Sequence, residues 1–154
     1  MGQVTHDQAN LVLRLYELRR EPRLREARAW FVVNFDAKTP EEIMQKCPPG
    51  SEANTSMRMT IGYWEMAAGF SNRGLMDDEL FFESAGEGFL VFDRIRDLLP
   101  AMRAVYKNPH AFEQLEVFGK RMETWIERRS PGHVAHMRQM MAQMRPAAAK
   151  SAGD

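Results

Sequence analysis

Apolar side chains in this chain recur at intervals of three and four, and nowhere do they alternate over a run long enough for a strand. That single period restricts the fold more than any other feature, because a spacing of 3.6 lines one face of an α-helix and a spacing of two lines one face of a strand. Leu11, Val12, Leu15, Tyr16 and Leu18 make one stripe between Thr5 and Arg20, and Leu24, Ala27, Phe31 and Phe35 make a second after Pro22. Phe89-Leu90-Val91-Phe92 is a continuous apolar run, yet Ile95, Leu98, Leu99 and Met102 continue it at helical spacing. The fold class is therefore all-α: a single bundle of five to seven helices.

Capping chemistry supplies the boundaries. Thr5 or Asp7 can cap the first helix, and Pro22 can open the second, giving a tight helical hairpin. Thr39-Pro40-Glu41-Glu42 starts a short helix that Cys47-Pro48-Pro49-Gly50 stops, and Ser51 opens a long one ending before Gly74. Asp77-Asp78-Glu79 begins another short helix. Gly86-Glu87-Gly88 reads as a break before a helix from Phe89 to Lys107, which Pro100 should kink or split. Asn108-Pro109 reads as the start of the next helix, with Phe112, Leu115, Phe118, Met122, Trp125 and Ile126 as its stripe, closed by Ser130-Pro131-Gly132. The expected organisation is a helical domain over 1–132, an amphipathic helix over 133–145 and a disordered small-residue tail over 146–154.

Composition excludes several classes of function. With 154 residues, 44% hydrophobic and 27% charged, the chain can bury one sizeable core and is not wholly disordered. Lys+Arg and Asp+Glu balance at 21 each, so no net field draws it to nucleic acid or anionic lipid. No run approaches eighteen apolar residues, and no secretory leader is visible, so a cytoplasmic location is expected. One cysteine, Cys47, rules out an internal disulfide or a multi-thiolate metal site. It also falls at a helix C-terminus, the wrong end for activating a thiol. Glu-x-x-His, His-Glu-x-x-His and phosphate-loop motifs are all absent. His133 and His136, three apart, have no acid within a turn of either, and His110 with Glu113 suggests only a local contact. No metal, no cofactor and no catalytic residue is expected.

Three constellations remain. Glu65 stands mid-helix with Gly62 three before it and Gly69 four after, on one face. Two glycines around an acid suggest a helix approaching closely, and an interior carboxylate needs a partner, most naturally an arginine fork. Arg28, Arg94 and Arg103 are the candidates. A pocket around Glu65, Tyr63, Arg96 and Arg103 is the alternative, and would make the protein a small-molecule binder or enzyme. The second constellation is charge segregation: Arg14, Arg19, Arg20, Arg23, Arg25 and Arg28 crowd the N-terminal hairpin, while Asp77 to Glu87 holds five acids and no base. The hairpin can meet that acidic face on its own chain or on a second copy; weak nucleic-acid binding is a further alternative. The third is a methionine stripe, Met137, Met140, Met141 and Met144, an adaptable contact surface for the chain's own body or a partner. A non-enzymatic module acting on a protein partner or as a homodimer is the reading these features favour.

The order of elements also carries a resemblance. An arginine-rich hairpin ends in Trp30 and Phe35. A long helix with Tyr63-Trp64-Glu65-Met66-Ala67-Ala68-Gly69-Phe70 runs into Arg73-Gly74-Leu75-Met76-Asp77-Asp78-Glu79-Leu80, and the next helix carries Arg96 and Arg103. From about Asp7 to Arg129 this resembles a family of small bacterial helical proteins known only as a domain of unknown function. The resemblance implies an all-α fold and a bacterial source, and brings no activity or site residues. Members often place a membrane helix ahead of the domain, and this sequence departs from that pattern.

Overall fold

A computed structural model describes residues 3–143. Among them the chain forms nine α-helices and one 3-10 turn, and no strand. The expected five to seven helices are exceeded, in part because the segment read as one helix from Phe89 to Lys107 is divided by the 3-10 turn.

The first helices begin where their caps require. Thr5 and Gln8 form a reciprocal capping box on α1 (His6–Arg19), and Glu21 accepts from Leu24 N at the start of α2 (Pro22–Asn34). Thr39 caps α3 (Pro40–Lys46), and Ser51 caps α4 (Glu52–Asn72), the central helix. Gly74 takes φ +72° just beyond α4, with Leu75 N returning to Phe70 O; a Cβ would oppose that left-handed turn. Asp77 caps α5 (Asp78–Phe82).

The next helix, α6 (Gly86–Ile95), corrects the reading of Gly86-Glu87-Gly88 as a break: these residues form its first turn. Gly88 is there for proximity. A Cβ on it would stand 2.6 Å from Trp64 Cε3 and 3.1 Å from Phe118 Cε1, so both rings press on that backbone. A 3-10 turn at Arg96–Leu98 separates α6 from α7 (Leu99–Tyr106). Pro100, lacking an N–H, falls in the first turn of α7 and splits the helix as its chemistry demands.

The following segment also differs from expectation. Asn108-Pro109 does not start a helix; α8 (Glu113–Arg129) begins later because Phe112 adopts φ +57°. Lys107 at φ +51° closes α7 in the same left-handed region, so the 107–112 segment turns at both ends. Last comes α9 (His133–Gln143). The 146–154 tail lies outside the described residues.

The core is one cluster. Trp64, Phe31, Phe89, Phe92 and Phe118 are its largest fully buried side chains, with α4 packed between α2 and α8. Phe31 stacks on Phe35 at 4.6 Å, and Phe82 meets Phe118 edge-on at 5.6 Å. Gly119 of α8 is a second close approach, since a Cβ there would overlap the Phe92 ring. Burying such rings supplies the main driving force, about 25 cal/mol for each Å² of apolar surface removed from water.

Candidate functional site

The charged and polar candidates around Glu65 are each engaged, and their partners differ from those the sequence suggests. Glu65 is half-buried, and no guanidinium answers it among the described residues. Its carboxylate accepts from Gln114 N at 3.1 Å and from Leu115 N at 2.7 Å. Those amides belong to the first turn of α8, which has no side-chain cap of its own because Phe112 holds the cap position. Glu65 therefore caps α8 from across the interface, where the helix N-terminus offers both free N–H groups and positive potential. Next to it, Asn72 Nδ2 donates to Gln114 O and Gln114 Oε1.

The glycines beside Glu65 play separate parts. Gly69 is buried, and a Cβ on it would lie 2.9 Å from Arg73 Nη1 and 3.7 Å from Gln114 Cγ. Gly62 has nothing within 4 Å of where a Cβ would stand, so no helix approaches there.

The arginine fork expected at Glu65 is found at Glu87. Arg28 Nε donates to Glu87 Oε1 at 2.6 Å and Arg28 Nη2 to Oε2 at 2.7 Å, a bidentate pair. Trp64 Nε1 donates to Glu87 Oε1 at 3.0 Å, and Arg28 Nη1 donates to Arg19 O at 2.8 Å. Hydrogen bonding to Glu87 raises the Arg28 pKa further, so the guanidinium stays charged at any ordinary pH. Tyr63 completes the cluster: its buried hydroxyl donates to Leu15 O at 2.7 Å, and burial pushes its pKa up to about 12. Arg19 lies over the rings of Tyr16 and Trp64 at 5.2 and 5.3 Å and reaches Ser84 O. The inner arginines of the hairpin thus meet the end of the acidic segment on their own chain.

The remaining candidates are dispersed. Arg94 Nη1 donates to Phe31 O and Phe35 O, tying α6 to the end of α2. Arg103 donates to Ala111 O and to Glu116 at 2.6 Å, pinning the 107–112 segment. Lys120 first and Arg103 with it hold the Glu116 carboxyl below its ordinary range. Arg96 pairs with Asp93 and Glu123. Arg138 of α9 joins the same two acids, at 2.7 Å from Asp93 and 3.1 Å from Glu123. Tyr63, Arg96 and Arg103 therefore serve three different junctions and do not converge on Glu65.

This four-charge network clamps α9 onto the body. Val134 is buried, and Glu127 of α8 accepts from Gly132 N and Val134 N, both at 2.9 Å. Those two amides hold the Glu127 carboxyl below its ordinary value of 4.5. Docked in this way, α9 raises one wall of an apolar groove of about 390 Å³. Met137, Met140 and Met141 face Val32 and Leu90 across it, and Gly86 and Glu87 close its end. Met140 is 49% exposed. Met144 lies outside the described residues.

Other chemistry-bearing residues are plainly placed. Cys47 is fully buried, and burial pushes its thiol pKa up. His110 Nδ1 contacts Glu113 at 3.3 Å, and the His133 and His136 rings are exposed with centroids 6.4 Å apart. Among the described residues no group of three or more His, Cys, Asp or Glu could hold a metal ion. None of the described helices is long and apolar enough to cross a membrane.

Over residues 4–122 the chain matches the family described as Domain of unknown function (DUF4760), and it belongs to that family. Comparison with curated proteins and with solved structures finds no match.

Proposed function

We propose that this protein is a non-enzymatic helical module that works by protein–protein contact, and that the methionine groove is the surface through which it pairs with a second copy of itself. The observation that carries this reading is the groove's shape: an open apolar trough and an exposed methionine ridge share one face. A two-fold pair needs such self-complementarity, with each copy offering what the other receives. Methionine is the side chain best suited to repack at a contact of this kind. The walls are stiff, because Arg138 and Glu127 fix α9 while Glu87 is held by Arg28 and Trp64. A preformed apolar trough loses little freedom on association. The turning of Arg19 and Arg28 toward protein atoms weakens the nucleic-acid alternative.

Light scattering of the full chain across a concentration series tests the proposal. A dimer is expected, with Met140→Glu shifting it to monomer while the far-ultraviolet circular dichroism stays unchanged. A chain monomeric at every concentration, or a dimer indifferent to Met140→Glu, refutes it.

A further inference from the structure

On another face of the molecule, α4, α7 and the 107–112 segment enclose a second hollow, of about 370 Å³. Met57, Ile61, Met102 and Phe112 give it an apolar lining, and Arg58 and Tyr106 stand among its polar walls. Its volume falls within the range of small-molecule sites, and an apolar lining with a few polar groups is their usual make-up.

Three features point to an occupant. First, Gly62 lies on the wall of this hollow, in the middle of a 21-residue helix, with open space where a Cβ would be. Glycine inside a helix is destabilising relative to alanine, and at Gly88 and Gly119 a neighbouring ring accounts for it. At Gly62 no neighbour does, so the room is left for something from outside. Second, Arg58 stands exposed on the wall of this hollow with no hydrogen bond or ion pair among the described residues, so its guanidinium is available to a ligand. Third, the wall is built against the grain of the backbone: left-handed Phe112, beyond left-handed Lys107, sets its ring against the core. The Asn54 amide nitrogen is committed elsewhere, donating to Cys47 O at 3.0 Å, which leaves Arg58 and the Tyr106 hydroxyl as the side-chain donors without a partner on this wall.

We propose that this hollow binds a small apolar carboxylic acid, whose hydrocarbon lies on Met57, Ile61, Met102 and Phe112 and whose carboxylate meets the Arg58 guanidinium. An acid is favoured over an amine or an alcohol because the free group at the site is a cation with a forked set of donors.

Calorimetric titration of the full chain with octanoate, 1-octanol and octylamine, with methionine-methyl spectra to place the contact, tests this. Octanoate should bind best and shift the Met57 and Met102 methyls. Arg58→Gln, a change at an exposed position, should weaken octanoate by about tenfold or more and leave octanol as it was. Gly62→Leu should block octanoate while the melting transition is retained; if that variant does not fold, the Arg58→Gln result decides. Failure of octanoate to bind, equal affinity in Arg58→Gln, tighter binding of octylamine, or shifts confined to Met137 and Met140 would each overturn the proposal.

Discussion

Glu65 and Glu87 touch the same stretch of α4 and are satisfied in opposite ways. Glu65 projects from α4 to the open amides of α8, and Glu87 projects from α6 to the indole of Trp64 and the guanidinium of Arg28. One carboxylate is answered by backbone dipoles, the other by a formal charge. The difference decides what remains when the acid is removed. Water can replace the first partner at modest cost, because helix amides near a surface are readily solvated. A guanidinium folded into the interior cannot leave, and stays behind as an unpaired charge.

Glu87→Ala should therefore be the more damaging change. Fully buried pairs cost about 3–5 kcal/mol when broken; with Arg28 and Glu87 each about one-fifth exposed, about 2–4 kcal/mol is expected. Chemical denaturation measures it, and a loss under about 1 kcal/mol would erase the contrast. Glu65→Ala should cost about 1–2 kcal/mol, the range of a lost helix cap with charged acceptors. Amide hydrogen exchange should quicken at Gln114 and Leu115 first. Glu65→Gln sharpens the comparison, since one amide oxygen can still accept; about half the alanine loss should return, whereas Glu87→Gln should recover little because its NH₂ would face the guanidinium.

The smallest effect concerns Glu127, which like Glu65 is held by backbone amides. Its folded pKa lies below the ordinary 4.5, so its contribution is complete above that value and is lost as pH falls through the folded pKa. Protection factors of the α9 amides, taken relative to intrinsic exchange, should fall as the pH drops below about 4.5 and recover on return. An α9 indifferent to acid would show that the Glu127 carboxylate does not hold it.

Helices and their caps were legible in the sequence because threonine, serine, aspartate and proline act on neighbours three residues away. Thr39, Ser51 and Asp77 behave as their local chemistry requires. Long-range pairing was not legible. A mid-helix acid with flanking glycines suggested an arginine, and the fold supplied one to Glu87 instead, 59 positions from Arg28. Gly88 and Gly119 carry the closest approaches, yet a glycine pressed by Trp64 or Phe92 reads in sequence like any hinge. The start of α8 was missed for the same reason: a left-handed phenylalanine has no local signature, and the residue that caps the helix lies 49 positions earlier.

That distant cap has a consequence for the order of assembly. A peptide spanning Glu113–Arg129 lacks a start signal, so its first turn should remain frayed until α4 arrives with Glu65. During synthesis α4 leaves the ribosome before α8, and the later helix can be completed on the surface of the earlier one. Rearranging the gene so that 113–129 precedes 52–72 should keep every final contact and slow the route to them.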